Sequence, residues 1–427
     1  MAFSPIAGLD FGTSNCVLAL WRGQGPELIP LDNSRPHLAS TLFAESADSN
    51  NGRTTLLDAL NRGADVCFGE AAIARHLEDP GAGFFVKSPK AFLGAKLSPQ
   101  QSTVFEKVLT LMLANLRALA ERNAGMDLRQ AVIGRPVNFQ GANAGGSNAQ
   151  ALELLTKAAR AAGFDEVSFL YEPVAAALDF ERQLTHDQTV LVLDVGGGTT
   201  DCTVMRVGPS RAGKADRGGD ILGASGERFG GLDFDISLAF RCLLDLFGRD
   251  EPLKSGLPMP SGLFWDAVTI NDVNALQRFR SPAGQRELDG LLREARDPTR
   301  LRRLRVLQEE GLSYQLLHSA ERAKIALSDA DSTRVDLDYV EAGLERAISR
   351  GELADAIAQQ LNRLGALMDE AVTQAQVAPD VLYVTGGTAR SPVLEAFVRR
   401  RYADLPIVIG DLFGSIAAGL ATWGQRG

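Results

Sequence analysis

Two stretches of this chain repeat one pattern at half-molecule distance, and that repeat restricts the fold more than any other feature. Residues 6–9 are an apolar run that reaches Asp10, turns at Gly12-Thr13-Ser14-Asn15 and returns through residues 16–21. Residues 189–193 repeat it, reaching Asp194, turning at Gly196-Gly197-Gly198-Thr199 and returning through residues 201–207. Short apolar runs bounded by glycine turns read as buried strands, so LDFGTSNCVLAL and LDVGGGTTDCTV are two versions of one hairpin. Asp10 and Asp194 lie 184 positions apart, which implies two related lobes. A chain of 427 residues also exceeds what one hydrophobic core usually organises.

Between and after the hairpins, apolar strand-like runs alternate with helical patterns, so the class is α/β. The periodicity predicts helices over residues 104–122, 151–163, 234–247, 353–376, 394–402 and 415–423, and one or two helices over 300–327. Further strands are expected at 130–137, 167–171, 335–339, 380–384 and 407–409. Pro173 suits the first turn of a helix opening at YEPVAAAL. Residues 138–150 are rich in glycine and asparagine and read as loop, and residues 218–231 are rich in glycine. Residues 46–66 read as a polar surface excursion, and 250–298 as an irregular insertion. Phe264, Trp265 and Phe279 within that insertion read as core residues.

Composition narrows the function. Hydrophobic residues make up 45% and charged residues 23%, as in an ordinary globular protein. The net charge of −9 argues against a general nucleic-acid or anionic-membrane binder. The basic run at residues 300–306, RLRRLRV, reads as a solvated helix face. Four cysteines, none in a CxxC pair, make no disulfide framework, and four scattered histidines suggest no histidine metal site. No apolar run is long enough to span a membrane, and the first residues have no basic, apolar leader pattern. A cytoplasmic protein is expected.

An aspartate at a strand end, before a glycine turn, holds its carboxylate at a wall, while the turn's N–H groups reach phosphate oxygens unobstructed. Two such hairpins face to face would grip a triphosphate, with Asp10, Asp194 and Asp201 around a cation. Mg²⁺ suits that arrangement because it keeps several waters and uses few carboxylates. GPSRAGKA, residues 208–215, approaches the P-loop pattern but lacks its terminal hydroxyl and a following helix, so it reads as a surface turn.

GLDFGTSN, YEPVAAAL, VLDVGGGTTD, GGLDFD, SAERAKIALS and VTGGTARSP occur in this order along the chain. Together they resemble the signature set of the DnaK-type, seventy-kilodalton heat-shock chaperones, with the YegD-type branch as the closest likeness. The resemblance implies an actin-like ATPase fold, with ribonuclease H-like duplicated lobes around a nucleotide cleft. Lobe I would comprise residues 1–187 and 411–427, and lobe II residues 188–410 with an outer subdomain around 236–355. It implies ATP or ADP with Mg²⁺ as ligands, slow ATP hydrolysis, and an unidentified protein partner. Gly12, Thr13, Ser14 and Asn15 would form the first phosphate hairpin, and Gly196, Gly197, Gly198 and Thr199 the second. Gly230, Gly231 and Asp233 would form a third loop. Asp10, Asp194 and Asp201 would hold the metal, largely through water. Glu172 would lie near the metal and the hydrolytic water. Glu321, Lys324 and Ser328 would meet the adenosine on one side, and Gly386, Gly387 and Arg390 on the other. Lys90, in KAFLG, matches the family's catalytic lysine, with Lys87 as a competing candidate.

Three positions depart from the family pattern: Ile325, Leu232 and Phe413. On this reading the chain carries the nucleotide-binding half alone, without a peptide-binding domain. Two alternatives stay open on the same fold, a metabolite kinase and a nucleotide-gated scaffold or filament protein. A kinase needs a general base for an acceptor hydroxyl, and Glu172 is its one clear candidate.

Overall fold

The computed structural model describes residues 5–46, 55–95, 97–139, 145–214 and 216–425. The chain packs as two compact units. The first comprises Met1–Gly231, Arg363–Arg390 and Phe397–Gly427, and the second Leu232–Asn362 and Ser391–Ala396.

In chain order the strands of the first unit begin with β1 (Ile6–Phe11), β2 (Asn15–Arg22), β3 (Gly25–Leu28), β4 (His37–Ala39) and β5 (Thr41–Glu45). They continue with β6 (Val66–Phe68), β7 (Gly83–Lys87), β8 (Gln130–Arg135), β9 (Glu166–Tyr171), β10 (Gln188–Val195), β11 (Thr200–Val207) and β12 (Ile221–Glu227). The second unit contributes the hairpin β13 (Ser332–Asp336) and β14 (Glu345–Ser349). The first unit closes with β15 (Val381–Thr385) and β16 (Ile407–Ile409).

The duplication legible in the two hairpins extends to whole sheets. One runs β3-β2-β1-β8-β9, with β4 attached to β2, and the other β12-β11-β10-β15-β16. In each, the central strand pairs antiparallel with its hairpin partner and parallel with a later strand. The first sheet falls within residues 1–187 and the second within 188–410. A smaller sheet, β6-β5-β7, stands beside the first.

Two helices, Glu172–Glu181 and Ser415–Gly424, pack between the sheets and against one another. Their residues are almost all buried, so neither shows the single apolar stripe of a surface helix; in the first, Glu172 and Glu181 stand at the two ends. A Cβ at Gly419 would strike the backbone of Ala175, and one at Gly8 would strike Ala421, so glycine sets how near the layers approach. Val132, Val174, Leu178, Val190, Val192 and Leu420 belong to the shared core. The helix Pro99–Ala124 covers the outer face of the first sheet. It starts at a Ser98/Gln101 capping box and ends at Gly125, whose φ of 71° supplies the left-handed cap.

Several expectations need correction. Residues 250–298 are irregular only in part: 250–261 is non-helical, with Pro252, Pro258 and Pro260, but 262–294 folds as the helices Gly262–Val268, Val273–Arg280 and Pro282–Glu294. Their prolines and cap residues lie at helix ends, with Asp272 and Ser281 capping and Pro282 in the first turn, so the punctuation marks boundaries rather than disorder. Residues 218–231 contain β12, whose glycines conceal the strand pattern; a Cβ at Gly223 would collide with the backbone of the covering helix Ala358–Ala375. The helix expected at 151–163 begins earlier, as Gly145–Ala161, and residues 140–144 of the expected loop lie outside the described residues. The helix expected over 353–376 is two, Arg350–Ala356 and Ala358–Ala375, and residues 300–327 also form two, Thr299–Glu309 and Ser313–Asp329. The region 234–247 is helical but changes pitch, from an α-helix ending at Leu238 through a π turn to a 3₁₀ turn. The strand expected at 335–339 is Ser332–Asp336. Of the polar excursion, residues 47–54 lie outside the described residues, and Leu56–Asn61 is a capped helix. Phe264 and Phe279 are fully buried, whereas Trp265 is partly exposed and stacks on Phe240 with centroids 3.7 Å apart. No helix among the described residues is long and apolar enough to cross a membrane.

Candidate active site

β1 delivers Asp10 opposite Val17 in the first hairpin, and β10 delivers Asp194 directly opposite Asp201 in the second. The two turns face each other. A Cβ on Gly197 would lie 2.8 Å from Ser14 Cβ, and one on Gly198 would lie 2.7 Å from Thr13 Cγ2. Only glycine lets the second turn come this near the first. The third loop is laced to the second: Gly231 N–H donates to Gly196 O at 2.9 Å, and a Cβ on Gly230 would press on Gly196 O at 2.5 Å. Gly196 N–H in turn donates to Thr199 O at 2.9 Å, closing the turn.

The helix Glu172–Glu181 begins with its carboxylate at the positive end of the helix dipole. Glu172 accepts a hydrogen bond from Lys90 Nζ, and both side chains are only 4% exposed. Lys90 sits in a 3₁₀ turn, Pro89–Phe92, entered through Ser88 at φ 57°. A left-handed non-glycine residue before a proline is a strained entry, and it turns the lysine inward off β7. Lys87, the competing candidate, is half-buried at the end of β7, and the residue brought against Glu172 is Lys90.

Burial and mutual repulsion make the acids of this site a poor place for negative charge. Burial and then the Glu172 charge push Asp10 up to about 7, and the same two causes push Asp201 up to about 7 against the hydrogen bonds of Val137 and Thr199. Asp194 is raised well above the usual carboxylate range by burial, then by Glu172, Asp201 and Asp10. Burial works against the charge on Lys90, yet Glu172 and Asp10 outweigh it and hold its pKa above the ordinary value. Asp201 Oδ1 accepts from Val137 N–H at 2.8 Å, but Asp201 Oδ2 and Asp194 Oδ1 are buried without a hydrogen-bond partner. Buried carboxylate oxygens without donors suit a cation. Among the described residues no three His, Cys, Asp or Glu side chains converge closely enough to ligate a metal directly. The unpartnered oxygens of Asp194 and Asp201 fit a hydrated Mg²⁺, which keeps several waters and uses few carboxylates.

Sequence reasoning missed Ser40. Its hydroxyl donates to Gly12 O at 2.7 Å and meets Cys16 Sγ at 3.2 Å, while its own N–H donates to Ser14 O at 2.8 Å. Its carbonyl accepts from Ser88 N–H at 2.8 Å, so one residue ties the first hairpin to the turn that carries Lys90. A serine between two short strands carries no motif, and no signal in the sequence marked it.

The other expected residues divide between the units. Gly386, buried at φ 89°, lies beside Asp194 at the end of β15, where a Cβ would approach Asp194 Oδ1 at 2.7 Å; Gly387 and Arg390 follow it and are exposed. Phe413 stacks on His37, with centroids 4.6 Å apart. In the second unit, Asp233 lies in the first turn of the helix Gly231–Leu238, 3.4 Å from the amide of Asn271. Glu321, Lys324 and Ser328 share one half-buried face of the helix Ser313–Asp329. Lys324 forms an ion pair with buried Asp235 at 2.7 Å, and Glu321 lies 3.6 Å from His318. Ile325, on the next face, is exposed, and Leu232 is buried. The P-loop lookalike at residues 208–214 is a turn rather than the start of a helix; Ala215 lies outside the described residues.

Duplicated sheets with acidic hairpins turned toward each other define an ATPase architecture of the actin-like class, and comparison with known proteins agrees. Residues 82–254 match the family model described as Hsp70 protein. The chain is similar to chaperone protein dnaK3 of Thermosynechococcus vestitus, 24% identical over 439 aligned positions that cover 94% of this chain and 52% of the relative. It is similar also to chaperone protein dnaK of Cyanidioschyzon merolae, at 24% over 434 positions covering 93% and 57%. These findings support the Hsp70 family, whose fold is the actin-like ATPase fold. The chain spans about half the length of the curated relatives it matches.

Proposed function

We propose that this chain binds ATP with Mg²⁺ and hydrolyses it slowly, as the nucleotide-driven part of a chaperone-like protein. The observation that carries the reading is the approach of Gly197 and Gly198 to Ser14 and Thr13, beside a buried Lys90–Glu172 pair and three charge-strained aspartates.

In this mechanism the N–H groups of residues 12–15 and 196–199, with the loop at Gly230 and Gly231, cradle the phosphate oxygens. Asp10, Asp194 and Asp201 hold the hydrated Mg²⁺, which when bound offsets phosphate charge. Lys90 places a positive charge where negative charge grows on the γ-phosphate. Glu172 fixes the ammonium and orients the attacking water. The water oxygen bonds to the γ-phosphorus as the bond to the bridging oxygen breaks. ADP leaves with the electron pair; one of the water's protons stays on the phosphate and the other passes to solvent. The Thr199 hydroxyl, which hydrogen-bonds Asp201, keeps that carboxylate aimed. Adenosine contacts from Glu321, Lys324 and Ser328, and from Gly386, Gly387 and Arg390, belong to the same proposal. So do the assignment to the YegD-type branch, a cytoplasmic location and a protein partner that reads the nucleotide state.

The test is phosphate release from ATP by Asp10→Asn, Asp194→Asn and Thr199→Ala proteins whose circular dichroism matches the parent. Suppressed turnover is expected in each. Undiminished turnover in all three would end the reading, and turnover that requires a sugar or polyol acceptor would replace it with a kinase.

A further inference from the structure

The helices of residues 282–309 flank an open surface cleft of about 790 Å³ that the nucleotide chemistry does not use. Its lining is strongly one-signed: Arg286, Arg293, Arg302 and Arg305 against the single carboxylate of Asp289. In a chain of net charge −9 such a concentration runs against the overall balance.

The helix Thr299–Glu309 explains half of it. Leu301, Leu304 and Leu307 are buried, so the basic run RLRRLRV turns its arginines outward. Arg303 is taken up by Glu341 at 2.6 Å and by Leu246 O at 3.0 Å, outside the cleft. Arg302 and Arg305 line the cleft. The helix Pro282–Glu294 supplies Arg286, Asp289 and Arg293, while Leu288 and Leu291 fix its buried face. Asp289 accepts from Arg305 and so holds that guanidinium in place. Arg305 Nε is buried without a hydrogen-bond partner. Arg286, Arg293 and Arg302 are exposed. Leu292 and Pro298 complete the wall with apolar surface.

Guanidinium groups are planar forks that pair bidentately with phosphate and carboxylate oxygens, and they are less strongly hydrated than ammonium groups. Asp289 and, at 3.9 Å, Glu309 both pair with Arg305, which leaves the guanidiniums of Arg286, Arg293 and Arg302 as the three positive charges of the lining, with Asp297 acting on Arg302 from outside it. A phosphomonoester carries about −1.5 to −2 at neutral pH, so two of them balance three guanidiniums. The volume is that of a small-molecule site rather than of a macromolecular groove. We propose that this cleft binds a small organic anion bearing two phosphoryl groups, with its carbon skeleton against Leu292 and Pro298.

The test is calorimetric titration of the whole chain, saturated with ADP to fill the nucleotide site, using inorganic pyrophosphate, fructose 1,6-bisphosphate and hexaglutamate as probes. Both phosphate probes are expected to bind with a stoichiometry of one and to weaken as salt is raised. Arg286→Gln with Arg302→Gln should lower their affinity about tenfold or more. Arg293→Gln alone should act in the same direction. These side chains are exposed and outside the ATP machinery, so basal ATP hydrolysis should stay at the parental rate. No binding by either phosphate probe, equal binding to the double variant, or tighter binding of hexaglutamate would overturn the proposal. None of these outcomes depends on whether ATP is hydrolysed.

Discussion

Replacing Lys90 with methionine separates what the buried ion pair does for the fold from what it does for catalysis. The variant keeps the aliphatic bulk and deletes the charge, leaving the Glu172 carboxylate in a place where its side chain is 4% exposed. Removing one partner of a buried pair costs about 3–5 kcal/mol. The reverse change, Glu172→Gln, should cost less, because Asp10 and Asp194 still stand near the ammonium. The double variant, with neither charge, should recover most of the loss. Turnover should behave differently. Deleting an electrostatic stabiliser of the transition state costs about 10²–10³ in rate, and removing Glu172 as well cannot restore it. Urea denaturation in metal-free buffer reads the first quantity, and single-turnover hydrolysis of ATP reads the second. If K90M unfolds with the parental midpoint and hydrolyses ATP within twofold of it, the reasoning is wrong. If the double variant regains turnover along with stability, Lys90 is a structural lysine only.

Four further outcomes are expected. Gly197→Ala should drive a methyl into Ser14 and weaken a fluorescent ATP analogue at least tenfold in equilibrium titration, with unchanged circular dichroism; parental affinity would mean the two turns do not approach as described. Ser40→Ala should remove the hydrogen bond to Gly12 O, lower stability by about 1 kcal/mol in urea and raise the apparent KM for ATP, and an unchanged KM would assign Ser40 to the fold alone. Arg217→Met should leave Glu181 buried without its cation, while Asp220 keeps Arg211, and cost about 3–5 kcal/mol in urea, whereas a loss below 1 kcal/mol would contradict the burial of that network. In metal-free buffer, thermal unfolding should show the linkage of Asp201: its folded-state pKa, raised to about 7, means the folded state holds a proton that the unfolded state has released above pH ~4. Stability from this group is present in acid and is lost as pH rises toward 7, so Asp201→Asn should flatten the fall in Tm between pH 5 and 8, and an identical slope would refute the shift.

The sequence exposed the parts whose chemistry is local. β1, β10, β15 and β16 are short apolar runs that end in glycine or proline punctuation, and they fold where that pattern puts them. Asp10, Glu172, Asp194 and Asp201 sit in motifs that are common singly but tell through their repetition and order along the chain, and the structure gathers them around Lys90. What was illegible depends on distant partners. β12 is stitched to β11 across the glycines that let the helix Ala358–Ala375 approach, and glycine-rich sequence by itself reads as loop. The helices within 250–298 carry Gly262 and Pro282 at their first positions and Gly284 in close contact with Phe279 O, and only the packed unit distinguishes a boundary from a break. Ser40 matters through four separate contacts from one position, and no pattern in one dimension encodes that.

The helix Glu172–Glu181 carries an acid at each extremity. The first grips Lys90; the last grips Arg217 through both carboxylate oxygens, at 2.8 and 2.9 Å, and accepts from Gly208 N–H at 3.0 Å. Ten residues of α-helix make a rod about 15 Å long that resists compression. Sliding the rod toward either tip strips the other of its counter-ion. The loop between β11 and β12 and the turn that carries Lys90 thus hold opposite ends of one helix. A ligand or partner that tugs on Arg217 would be felt at the far end without any change in the sheets themselves.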